Sequence, residues 1–302
     1  MALEKFKYIN HLNEEIEFGK GGIYADTNEL RNYEWTVNKR SNMIGSFRHD
    51  IVKRKLPVVI MCSTVEEGLA KRNRLYEVLD KDVVAHRYGR IVIGDYYMQC
   101  FVMQSQKADY LTAERCIMLT LTVTTDQPVW VKETKHIFRL AAPVNSAAAL
   151  GMAVLGTMVL GNTGHAKAKS GASGRYLDYP FDYAFDFKSS TNAETINNTG
   201  INASNFRLVI YGECTDPEIK IGDHLYKISG KIEANEYLTI DSTTKEIYVT
   251  TNTGSRVNRF NDRYRKSYIF EKIPVGSASV SWGGEYDIDL IVLDERSEPK
   301  WT

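Results

Sequence analysis

At 302 residues and 34.3 kDa, the chain is long enough for two domains with hydrophobic cores of their own. Its 43% hydrophobic and 25% charged residues are ordinary globular composition and exclude wholesale disorder. Lys+Arg and Asp+Glu both total 38, divided 21 to 18 up to residue 140 and 17 to 20 beyond it, so neither half has the basic excess of a non-specific nucleic-acid binder.

In chain order, residues 1–60 read as short extended pieces separated by turns, such as the one at Gly19–Gly22. The start, MALEKFKYIN, has no hydrophobic h-region, so no secretory signal is expected. A helix is predicted over residues 62–84, with Val65, Leu69, Tyr76, Leu79 and Val83 as its apolar stripe. Ser63 with Glu66, and Thr64 with Glu67, both fit a capping box at its start. The Lys/Arg-rich opposite face reads as solvated. Strands follow in YYMQCFVMQS from Tyr96 and in residues 117–124, where Ile117, Leu119, Leu121 and Val123 alternate with Met118 and threonines. One main helix among antiparallel strands predicts an α+β first domain over 1–140.

Residues 141–175 are rich in Ala and Gly and read as a connector, with an apolar segment touching a membrane or partner as the alternative; the run is too short and glycine-rich for stable membrane insertion. From there to residue 302 the pattern is almost purely β, with short strands at 206–212, 225–229, 237–241, 246–251, 268–270, 279–282 and 286–293. The fold class is therefore mainly β: an α+β domain, then a β-sandwich over 176–302.

Catalytic and metal signatures do not emerge. Cys62, Cys100, Cys116 and Cys214 form no CxxC pair and suit free thiols in a reducing cytosol. His11, His49, His86, His136, His165 and His224 have no metal-ligand spacing. Asp178, Asp182 and Asp186 flank Pro180 and read as a solvated aromatic loop rather than a Ca²⁺ site. Asp287 and Asp289 share one strand face and read as exposed acids, since a glycosidase pair faces across a cleft. The sequons at Asn197 and Asn202 read as chance in an Asn/Thr-rich loop. No catalytic, cofactor-binding or metal residue is assigned, and the chain is expected not to be an enzyme.

The second half carries the most specific motifs. FRLVIYG from Phe206, DPEI from Asp216, HLYKI from His224, EYLTIDS from Glu236, NRFN from Asn258, FEKIPVG from Phe270, then Trp282 and RSEPKW from Arg296 resemble, in this order, the distal tail protein (Dit) family of phages and prophages of Gram-positive bacteria. YPFDYAFDF from Tyr179 resembles the aromatic lead-in to that domain. NYEW from Asn32, the helix and GDYYMQCFV from Gly94 match more loosely. The resemblance implies a galectin-like (jelly-roll) sandwich after a ring-forming domain, in a virion structural protein of the tail tip, assembled in the bacterial host cytoplasm. It implies a hexameric ring of identical copies acting as a baseplate hub, which joins the major tail tube protein to tail-associated lysin, fibre or receptor-binding proteins. No cofactor, catalytic residue or nucleic-acid sequence recognition follows from it. The alternative reading is a carbohydrate-binding sandwich module contacting the host wall, favoured if exposed aromatics cluster on the second domain.

Overall fold

The computed structural model describes residues 6–41, 43–110, 116–139 and 192–301. The Ala/Gly-rich stretch, the segment from Tyr179, His165 and the carboxylates Asp178, Asp182 and Asp186 lie outside them. The described chain is mainly β with one long helix, as the strand periodicities predict. It forms two compact units, residues 1–133 with 295–302, and residues 134–294.

The first unit contains β1 (Phe6–Ile9), β2 (Glu15–Phe18), β3 (Ile23–Ala25), α1 (Asn28–Arg31), β4 (Thr36–Arg40), β5 (Met43–Arg48), β6 (Val52–Met61), α2 (Val65–Ala85), β7 (Gly89–Ile93), β8 (Tyr96–Tyr110), β9 (Cys116–Thr125) and the start of β10 (Trp130–Phe138). One antiparallel path runs β2-β1-β7-β8 and a second runs β3-β6-β9-β8. β8 serves both, pairing β7 through Cys100 and β9 from Phe101 onward. Register shifts at Val102/Gln104 and Lys107/Asp109 interrupt its ladder with β9, and such bulges bend and twist a strand. Between the layers lie Tyr8, Leu30, Leu56, Leu75, Leu79, Met98, Leu121 and Trp130, all buried. Residues 295–302 complete this unit: the buried Arg31 donates to the Pro299 carbonyl (2.9 Å) and lies 3.8 Å from the Trp301 ring centroid.

The start of α2 bears out one of the two capping boxes. Thr64 is the N-cap and its hydroxyl accepts from the Glu67 N–H (3.2 Å), while the Glu67 carboxylate accepts from the Ser63 N–H (2.8 Å). The inward stripe differs from the predicted one. Gly68, Leu75, Val78, Leu79 and Asp82 are buried, whereas Val65 is exposed and Leu69, Tyr76 and Val83 are half-buried. An inward carboxylate at Asp82 rotates the buried face away from the purely apolar positions.

The second unit contains β11 (Asn192–Asn198), β12 (Asn205–Tyr211), β13 (Cys214–Thr215), β14 (Glu218–Ile221), β15 (His224–Lys227), β16 (Lys231–Ile232), β17 (Tyr237–Asp241), β18 (Glu246–Thr250), β19 (Arg256–Asn258), β20 (Gly276–Trp282) and most of β21 (Ile288–Arg296). A sheet of order β19-β18-β17-β12-β21 and a four-stranded sheet of order β11-β20-β14-β15 enclose the core as a sandwich. Phe206, Leu208 and Ile210 alternate inward on β12, facing the same core as Leu238, Ile240, Ile288 and Leu290. Trp282 anchors it, its indole N–H donating to the Tyr286 carbonyl (3.2 Å).

Two local expectations are corrected. Residues 268–270 are not a strand: Ile269 and Phe270 plug the core from a turn. Part of the expected Asn/Thr-rich loop is the strand β11, paired to β20 along its whole length.

Candidate interaction surfaces

The β4–β5 hairpin follows directly from Tyr33 and Trp35. Val37 pairs Phe47, Lys39 pairs Ile44 and Arg40 pairs Met43, with a bulge at Asn38/Lys39. Every residue of β5 is exposed, with Met43 at 75%, Ile44 at 63% and Phe47 at 58%. A lone two-stranded hairpin is marginal in water and gains stability by packing on something else. Its base is braced: Trp35 lies 3.9 Å from the His49 ring and 6.3 Å edge-on from Phe47, and the Thr36 hydroxyl donates to Asp50 (2.7 Å). The hairpin is thus a held arm with apolar side chains in water and with Lys39, Arg40 and Arg48 along it.

The second surface is the outer face of the β19-β18-β17-β12-β21 sheet. Tyr211 pairs Tyr237, and Val209, Thr239, Tyr248 and Asn258 form the next row across four strands. Asp289 sits on this face yet is buried, which corrects its expected exposure. Its carboxylate accepts from the Tyr211 hydroxyl (2.8 Å), Lys135 Nζ (2.7 Å) and Arg139 (2.9 Å), and these longer side chains shelter it. Burial pushes its carboxyl up, but the bonds from Lys135, Tyr211 and Arg139 outweigh that and hold it below the usual range. Arg207 is likewise 3.2 Å from Asp241, Arg139 lies over the Tyr211 ring and Arg256 over the Tyr248 ring. Burial first, then the bond to Asp289, pushes the Tyr211 hydroxyl up to about 12, so it remains a donor at neutral pH.

Several other polar residues brace the scaffold. Asp82, fully buried, accepts from the Tyr8 hydroxyl (2.5 Å) and the His11 backbone N–H (2.8 Å), with His11 Nδ1 at 2.5 Å. Desolvation, then Cys100 and Asp82, raises the Tyr8 pKa and keeps that phenol a donor. Asn198 donates to the Ile273 (3.0 Å) and Pro274 (3.1 Å) carbonyls from the end of β11. His49 stacks in the hairpin base and His224 Nε2 lies 2.8 Å from the Tyr268 carbonyl. The four cysteines are free, and burial pushes Cys100 up to about 12 and Cys214 up to about 11. No group of three His, Cys, Asp or Glu suited to a metal occurs among the described residues, and none of their helices is long and apolar enough to cross a membrane. Sequence reasoning missed both surfaces; the arm's only signals were the NYEW aromatics and apolar residues without a core-facing period.

No protein-family profile matches the chain, and no curated protein matches it in sequence. Solved structures do match. The crystal structure of SPP1 Dit (gp 19.1), described as a paradigm of the hub adsorption apparatus in Gram-positive infecting phages, aligns with a TM-score of 0.53 at 8% identity, covering 96% of this chain and 99% of that one. Chains of the phage P2 baseplate in its activated conformation, with Ca and with Sr, align with a TM-score of 0.56 at 13% and 14% identity, each covering 98% of this chain and 99% of its own. Over nearly its whole length, the chain has the fold of the Dit-like phage hub proteins.

Proposed function

We propose that the chain is a structural hub subunit of a phage or phage-like tail tip. Its first unit closes with further copies into a ring, six copies by the family resemblance, and the ring joins the tail tube protein to tail-associated lysin, fibre or receptor-binding proteins. Assembly takes place in the bacterial host cytoplasm and the product resides in the virion. The observation that carries this reading is the β4–β5 arm, whose Met43, Ile44 and Phe47 side chains are exposed among the described residues, apart from the edge-on contact of Phe47 with Trp35. A self-complementary patch gives a closed dimer, whereas an arm seated on a different part of the next copy is a heterologous contact, which generates rings. The ten residues of β8 from Phe101 to Tyr110 support the same reading. Among the described residues they pair only β9, so no described strand occupies their other backbone edge, which suits pairing with a strand from a second copy.

Ile44→Asp with Phe47→Asp tests this. The parent protein should show rings by negative-stain microscopy and a multiple of the monomer mass by light scattering. The double variant should be monomeric with an unchanged circular dichroism spectrum. A parent that stays monomeric with and without tube protein, or a variant that assembles like the parent, refutes the reading.

A further inference from the structure

We propose that the outer face of the β19-β18-β17-β12-β21 sheet binds a neutral saccharide. This goes beyond the hub reading and does not depend on it. Tyr211, Tyr237 and Tyr248 project from three neighbouring strands, and Tyr237, the middle one, is 38% exposed. A sugar ring offers an apolar C–H face and a rim of hydroxyls. The C–H face stacks on an aromatic ring, while vicinal hydroxyls suit planar guanidinium, carboxylate and amide groups. Both kinds of group are present: Tyr237 lies beside Tyr211 at 6.1 Å between ring centroids, and Arg139, Asp241 and Asn258 stand on the same face.

Charge and rigidity narrow the ligand class. Lys135 and Arg139 meet Asp289 and Asp287, Arg207 meets Asp241, and Arg256 shares the face with Glu246, so four cations stand with four carboxylates and leave no surplus to hold a polyanion. The same ion pairs and the Tyr211–Asp289 bond fix the side chains before a ligand arrives, which lowers the ordering cost of weak binding.

The full chain is titrated by saturation-transfer NMR and calorimetry with lactose, maltotriose, cellotriose and N,N′-diacetylchitobiose, and with polyglycerol phosphate as an anionic comparator. At least one neutral sugar should bind with a Kd of about 1 mM or tighter. Tyr237→Ala should weaken that binding about tenfold or more, and Tyr237→Phe, which keeps the ring, should stay within about threefold of the parent. Circular dichroism should be unchanged for both variants. The proposal is overturned if no neutral sugar binds at about 10 mM, if Tyr237→Ala binds as the parent does, or if polyglycerol phosphate alone binds.

Discussion

Gly89 opens β7 beneath the Tyr8 hydroxyl and the Asp82 carboxylate, and a Cβ there would collide with both. Neither neighbour yields cheaply, because each holds the other and Asp82 also receives His11. Gly89→Ala should therefore destabilise the chain by about 1–3 kcal/mol in urea unfolding, and a neutral result would mean that the network relaxes freely. Asp289 is the corresponding buried carboxylate of the second unit. Its partners Lys135 and Arg139 are half-exposed, which screens the gain, so Asp289→Asn should cost only about 1–2 kcal/mol at neutral pH. Its native pKa lies below the unfolded value of about 3.9, so the unfolded chain takes up this proton first on acidification. The stabilisation is therefore whole above that value and is lost as pH falls through the native pKa. Parent and variant should converge in melting temperature in acid, and a gap that persists unchanged down to about pH 2 would contradict this linkage.

Elements whose environment matched their own composition were legible in the sequence. On β12, β17 and β18 the core residues Phe206, Leu208, Ile210, Leu238, Ile240, Ile247 and Val249 recur at every second position because one face meets the sandwich core, and the helix start was readable because caps are local chemistry. Thr64→Ala removes the bond to the Glu67 N–H and should cost about 1 kcal/mol in thermal unfolding; a loss below about 0.3 would move the cap to another residue. The failures also have local causes. Among the described residues β11 is covered on only one edge, by β20, and its exposed positions are polar, so its pattern resembles a loop. The α2 stripe was misphased because hydrophobicity cannot reveal that Asp82 points inward to two hydrogen-bond donors. The arm was unreadable as a strand pair because no core imposes a period of two on it.

Across the whole molecule, the order of motifs from Phe206 to Trp301 pointed to the hub fold although the sequence identity to solved hub structures is only 8–14%. Burial of Leu, Ile and aromatic residues at fixed strand positions tolerates such divergence, since volume and pattern matter more than identity in a core. The two surfaces were hidden because they depend on registers between distant strands, which no local window contains. The return of residues 295–302 to the first unit has a consequence for biosynthesis. On a ribosome, the Arg31 guanidinium is made early, yet the Pro299 carbonyl and the Trp301 ring that receive it emerge only after the entire second unit. The unit translated first is thus closed last, and in a nascent chain its exposed arm precedes that closure, a window in which premature pairing with other chains competes with folding.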